Sequence, residues 1–162
     1  KKIVAVIPAR MESSRFPGKP LAKILDLPLV EHVRRRTLLA EKIDEVVVAT
    51  CNQEIKKMIE SYGGKAVMTA DTHERCTERV EEAMTHLEGD IVIILQGDEP
   101  LFSPDMLKHL VQPMLEDDSI FCTNLLSNIN DESDLQDVDI VKASINKYQK
   151  LRGIELIGVD GY

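Results

Sequence analysis

Ile3-Val4-Ala5-Val6-Ile7-Pro8-Ala9-Arg10-Met11-Glu12-Ser13-Ser14-Arg15-Phe16-Pro17-Gly18-Lys19-Pro20 is an apolar run that breaks into a loop carrying three cations. Residues 3–7 are uninterruptedly apolar and bounded by Pro8, the pattern of a strand buried on both faces. The loop then lies at the strand's carboxyl end, where open α/β sheets bind their ligands. Arg10, Arg15 and Lys19 against Glu12 give it a local excess of two positive charges, in a chain whose formal net charge is −8.

Working outward, residues 28–40 read as a helix with Leu29, Val30 and Val33 inward. Its arginine triplet, Arg34 to Arg36, turns about 100° per residue and so reads as a solvated face. Residues 45–50 form a second buried strand. Asn52 is placed as N-cap of a helix whose Ile55, Met58, Ile59 and Tyr62 recur at helical spacing, ended by Gly63-Gly64. Residues 65–68 make a third strand, and a polar loop leads to Thr77, expected to cap a helix with Val80, Ala83, Met84 and Leu87 inward.

Residues 90–95, Asp90 followed by five apolar residues without alternation, predict a central strand. Ser103-Pro104-Asp105 then opens a helix with Leu107, Leu110, Val111 and Met114 inward, which Pro113 should kink or shorten. Residues 119–126 and 140–145 read as further strands, joined by an acidic connection over 131–139 in which Ser133 and Gln136 form a candidate capping box. Strands alternating with amphipathic helices predict an α/β fold: a layered, mostly parallel central sheet with helices on both faces.

The 162 residues suit a single domain over 1–162. No apolar stretch approaches the roughly 18 residues of a membrane span. Lys1-Lys2 precedes an apolar run that Pro8 and Arg10 cut short, so no signal peptide is read. A cytoplasmic protein without membrane insertion is expected. The acidic balance disfavours nucleic acid as a partner. Cys51, Cys76 and Cys122 are odd in number and irregularly spaced, against a disulfide framework. His73 and Cys76 fall short of the four ligands of a structural zinc site and read as isolated side chains.

Guanidinium and ammonium groups at a strand end suit a phosphate, by charge-assisted hydrogen bonds. The loop is not a P-loop: no glycine lies five residues before Gly18, and Pro20 after Lys19 brings no hydroxyl. Gln96-Gly97-Asp98-Glu99-Pro100 follows the strand at 90–95 and reaches the same sheet edge if the strands are parallel. It reads equally as a turn or as a source of hard oxygen ligands for Mg2+, which takes one or two carboxylates plus phosphates and water. Asp98 and Glu99, as neighbours in extended chain, point to opposite sides and do not both reach one ion.

Ile7-Pro8-Ala9-Arg10, Ser14-Arg15-Phe16-Pro17-Gly18-Lys19-Pro20-Leu21, Thr77-Glu78-Arg79 and Gln96-Gly97-Asp98-Glu99-Pro100, in that order, closely resemble the CMP-Kdo synthetases, or 3-deoxy-manno-octulosonate cytidylyltransferases. The resemblance runs from residue 3 to about Lys142. It implies a Rossmann-like nucleotidyltransferase fold that transfers CMP from CTP to a 3-deoxy-ulosonic acid sugar, releasing pyrophosphate, for lipopolysaccharide or cell-surface polysaccharide biosynthesis. Arg10, Arg15 and Lys19 would hold the triphosphate, Asp98 would bind Mg2+, Arg79 and Gln96 would lie beside the nucleotide, and Ala9 would let the backbone approach the cytosine. Asp160, in a Val-Asp context, is the candidate second metal ligand, against an ordinary turn aspartate beside Gly161. The family also implies a homodimer.

Two departures stand out. Cys76 replaces a glycine that usually precedes Thr-Glu-Arg, and family members are longer, so residues 143–162 read as a truncated or discontinuous remnant of the sugar-binding and dimer-forming part. The alternatives are a CTP-binding module without turnover and a sugar-nucleotide glycosyltransferase of similar layering, whose Asp-x-Asp metal motif is not met by Gly97-Asp98-Glu99.

Overall fold

Four parallel strands carry this computed structural model, which describes residues 1–12, 16–126, 129, 131–138, 140 and 142. In chain order the strands are β1 (Ile3–Ala9), β2 (Lys23–Ile24), β3 (Leu27–Pro28), β4 (Glu45–Thr50), β5 (Lys65–Met68) and β6 (Ile91–Ile94). The helices are α1 (Leu29–Thr37), α2 (Gln53–Ser61), α3 (Cys76–Met84), α4 (Pro104–Glu116) and α5 (Glu132–Gln136). The main sheet has the order β5-β4-β1-β6, and β2 and β3 form a small antiparallel hairpin. Contacts divide the chain into two compact units, Lys1–Thr123 and Asn124–Tyr162; the first contains the sheet, and α5 is the described element of the second.

Side chains alternate across a strand, so the apolar run of β1 supplies two cores. Ile3, Ala5 and Ile7 join Val46, Val48, Ile91 and Ile93 beneath α1, α2 and α4, which contribute Val30, Val33, Ile55, Ile59, Leu107 and Val111. Val4 and Val6, with Val47 and Ala49, face the other way and are covered by Val80 and Ala83 of α3. Helices therefore flank both faces. The chain grows from β1 to β4 to β5, then crosses back to place β6 on the far side of β1. The switch point lies between β1 and β6, and loops leaving their carboxyl ends flank a crevice there.

Several expectations are corrected. β6 is an edge strand of the described sheet, not a central one: α3 packs over β1 and β4, leaving Val92 and Ile94 exposed on that face. Pro8 does not end β1, which runs on to Ala9; β6 pairs only as far as Val6, so proline sits where one flank is open. Arg34 is buried rather than solvated. Its Nε and Nη2 donate to the two oxygens of the fully buried Glu31 at 2.7 Å each, and Arg35 Nε joins at 2.8 Å.

The helix caps also shift. α3 starts at Cys76 with Arg75 as N-cap, and Glu78 reaches back to accept from the Arg75 N–H at 3.2 Å, so Thr77 lies inside the first turn. In α5 the capping side chain is Asp131, accepting from Ser133 N–H at 2.9 Å, rather than Ser133. α4 passes through Pro113 to Glu116; the carbonyl that proline cannot serve belongs to His109, an exposed residue. Residues 119–126 form no strand, since no ladder among the described residues accepts them. The expected strand at 140–145 and the tail lie largely outside the described residues. Among the described residues no helix is long and apolar enough to cross a membrane.

Candidate functional site

The first loop closes on itself at the end of β1. Gly18 N–H donates to the Met11 carbonyl at 2.9 Å, and Gly18 adopts φ 75°, a left-handed conformation that a side chain disfavours. A 3-10 turn over Lys19–Leu21 follows, aiming the Lys19 ammonium across the switch point to Asp98 Oδ2 at 2.6 Å. The loop after β6 comes this near because residue 97 is glycine. A Cβ there would stand 3.0 Å from the Pro8 carbonyl oxygen and 3.4 Å from Ile7 Cγ2.

Between these loops lies a cleft of about 330 Å³. β1 and its loop contribute Pro8, Ala9, Arg10, Glu12 and Lys19, and the β6 loop contributes Gln96, Gly97 and Asp98. A third wall comes from the β5–α3 segment: His73, Glu74, Arg75, Cys76 and Arg79. That wall is tied down internally. Arg79, 3% exposed, donates through Nη1 to Thr69 Oγ1 at 2.5 Å and to the Ala70 carbonyl at 3.1 Å. Glu82 accepts from His73 Nε2 and, at 2.9 Å, from Ala70 N–H; these two bonds, the histidine's first, hold its carboxyl below the usual carboxylate range. Arg10 Nη1 reaches the His73 carbonyl at 3.5 Å, and Gln96 Nε2 lies 3.9 Å from Cys76 Sγ.

Of the residues singled out from the sequence, Ala9, Arg10, Lys19, Arg79, Gln96 and Asp98 line this one cleft. Arg15 and Asp160 lie outside the described residues. Glu99 is not part of the lining, whereas Asp98 is. His73 is not an isolated side chain: its ring pairs with Glu82 and its carbonyl receives Arg10. Sequence reasoning missed it, along with Glu74 and Arg75, because nothing in a polar loop marks which residues turn toward a cleft. The departure at Cys76 from a glycine context was the available signal.

Chemically the cleft opposes cations to a hard oxygen ligand. Among the described residues no group of three or more His, Cys, Asp or Glu could by itself hold a metal ion. Asp98 offers one carboxylate, which fits Mg2+ only where phosphate oxygens and water complete the shell. Arg10 and Lys19 suit the phosphates themselves, the first as a fork and the second as a point charge.

The profile of the cytidylyltransferase family matches residues 4–151. A 3-deoxy-manno-octulosonate cytidylyltransferase from Geotalea daltonii is 42% identical over 141 residues, covering 87% of this chain and 56% of the relative. The protein of that name from Thermodesulfovibrio yellowstonii is 43% identical over 153 residues, covering 89% and 59%. A solved structure of CMP:2-keto-3-deoxy-manno-octonic acid synthetase complexed with CTP superposes with a TM-score of 0.72 at 44% identity, covering 74% of this chain and 50% of the other. A cytidylyltransferase from Leptospira borgpetersenii shares the fold, with a TM-score of 0.64 at 24% identity over 73% of this chain and 50% of that one. The chain thus spans a little over half the length of these named relatives.

Proposed function

This chain belongs to the cytidylyltransferase family, and from that premise we propose that it transfers CMP from CTP to a 3-deoxy-ulosonic acid, with 3-deoxy-manno-octulosonate as the acceptor. The observation that carries the reading is the meeting of Lys19 and Asp98 at 2.6 Å over the β1–β6 switch point. A phosphate-binding cation and a metal-binding carboxylate need to face each other there if a metal-triphosphate is the substrate. The proposal includes a homodimer in the cytoplasm.

In the reaction the sugar's anomeric hydroxyl attacks the α-phosphorus of CTP in line. A new sugar-oxygen–phosphorus bond forms, the bridge to the β-phosphate breaks, and pyrophosphate leaves as the hydroxyl proton passes to solvent. Arg10 and Lys19, with Arg15 from the same loop, hold the triphosphate and neutralise charge gathering on the leaving group. Catalysis of this kind is mostly positioning and electrostatic stabilisation. Asp98 would hold Mg2+, with Asp160 as a second ligand; the ion supplies charge neutralisation at the phosphates. Ala9, lacking bulk, leaves room for the base beside β1, and Gln96 and Arg79 border the nucleotide.

The test is pyrophosphate release from CTP and Mg2+ with a panel of ulosonic acids. Sugar-dependent release, greatest with 3-deoxy-manno-octulosonate, is the expected result. CTP binding without release under every sugar would replace the enzyme by a nucleotide-binding module, and absence of both would remove the reading.

A further inference from the structure

Asn52 stands at the N-cap of α2, a position where asparagine normally accepts a hydrogen bond from the helix's first turn, yet its side chain makes no such bond. Its Oδ1 instead accepts the Met11 N–H at 2.9 Å, across 41 residues of sequence. Because that N–H can only donate, the amide's oxygen rather than its nitrogen must face the loop. The Cys51 thiol approaches the same oxygen at 3.4 Å. Asn52 is itself held: its backbone N–H donates to Thr50 Oγ1 at 3.1 Å, and Thr50 is fully buried at the end of β4.

Met11 is the residue through which the cationic loop is closed, since its carbonyl accepts the Gly18 N–H at 2.9 Å. Arg10 precedes Met11 and Lys19 follows Gly18, so one residue's two peptide groups set both ends of the loop. Asn52 does not line the cleft, and its described link to the cationic loop runs through Met11. We propose that Asn52 is a positioning residue for triphosphate binding: it gives up its helix cap to anchor Met11, and thereby sets the Arg10 and Lys19 side chains on the cleft. A residue that breaks its local rule while serving a distant segment is the pattern expected where a site is being held in shape. The inference rests on the proposed nucleotide reading for its ligand, and on the hydrogen bonds alone for its mechanics.

The experiment compares the whole chain with Asn52→Ala, which removes the acceptor, and Asn52→Asp, which keeps it. CTP binding is followed by calorimetry with Mg2+, and exchange of the Met11 and Gly18 amides by NMR without nucleotide. Loss of one such hydrogen bond predicts about tenfold weaker CTP binding in Asn52→Ala. Asn52→Asp should restore affinity to within about threefold, because the carboxylate oxygen serves the same N–H. Both amides should exchange faster in Asn52→Ala than in the wild type and in Asn52→Asp. A helix-cap role would lower the unfolding midpoint while leaving the affinity of the folded protein and the Met11 amide unchanged, and that result would overturn the inference. So would an Asn52→Asp variant binding as weakly as Asn52→Ala. If the wild type binds no CTP, the proposed function fails, and unchanged or accelerated exchange then decides the anchor by itself. Should Asn52→Ala not fold, Asn52→Gln, which displaces the amide oxygen by one methylene, takes its place.

Discussion

Replacing Asp98 by asparagine should change CTP affinity in opposite directions depending on whether Mg2+ is present. In the free protein the Asp98 carboxylate and the Lys19 ammonium are 2.6 Å apart, with their side chains 46% and 38% exposed. A pair this open to solvent contributes about 0.2–1 kcal/mol. Folding stability should therefore fall by less than about 1 kcal/mol, and the unfolding transition should stay cooperative. Without metal, CTP has to take Lys19 from Asp98 and then sit beside that carboxylate. Asp98→Asn removes both obstacles, so metal-free CTP should bind tighter by a similar energy, a factor of about 1.4 to 5. With Mg2+ the same change removes the charged oxygen ligand, and affinity should drop. Calorimetric titration of wild type and variant in chelator and in Mg2+ reads both signs. A shift in the same direction in both buffers would show that Asp98 acts on CTP through something other than a contest between Lys19 and metal.

Lys19→Ala should cut pyrophosphate release severely while shifting folding stability by less than about 1 kcal/mol, since its partner is exposed; a wild-type rate would remove Lys19 from the mechanism. Arg34→Met leaves the fully buried Glu31 with Arg35 alone and should cost about 3 kcal/mol, read by denaturant titration. Adding Glu31→Leu should recover most of that loss, because an apolar pair does not strand a charge; no recovery would place the defect elsewhere. For Glu82, whose carboxyl is lowered from an ordinary 4.5 by His73 and the Ala70 N–H, the folded pKa lies below the unfolded one. Its stabilising contribution is thus complete above the ordinary value and is lost as pH falls through the lowered one. Glu82→Gln should flatten that part of the thermal-stability profile, and an unchanged acid limb would contradict the assignment.

The strands that decided the fold were readable because burial on two faces leaves an unbroken apolar run: β1 and β4 are marked this way, and β5 by its place after Gly63-Gly64. The same signal misplaced β6. Val92 and Ile94 are as apolar as Val4 and Val6, and side-chain chemistry does not report whether a helix lies above them. Arg34 was misread because its burial depends on Glu31 and on the Tyr62 carbonyl, which accepts its Nη2 at 3.3 Å from 28 residues away. Local periodicity sees neither. The two halves of the cleft were readable separately, as loops following strands, whereas Lys19 meets Asp98 across 79 residues. Asn52 shows the limit in miniature, for its sequence position states a cap and only the folded chain reveals Met11 as the partner.

The unequal lengths of two neighbouring strands have a consequence for how the fold could be remade. β1 pairs with β4 out to Ala9, but with β6 only to Val6, so on one side the sheet ends three residues early. At about 3.3 Å per residue the ladder stops roughly 10 Å short, and beyond it the β6 loop rather than a paired strand runs past Pro8 at Gly97. A designer wishing to move the wall formed by Gln96, Gly97 and Asp98 has a coarse control in the length of β6, distinct from the fine control exercised by the residues along the rim. Lengthening that strand by two residues in the same register would pair Leu95 and Gln96 with Ile7 and Pro8, turning part of a cleft-lining loop into sheet.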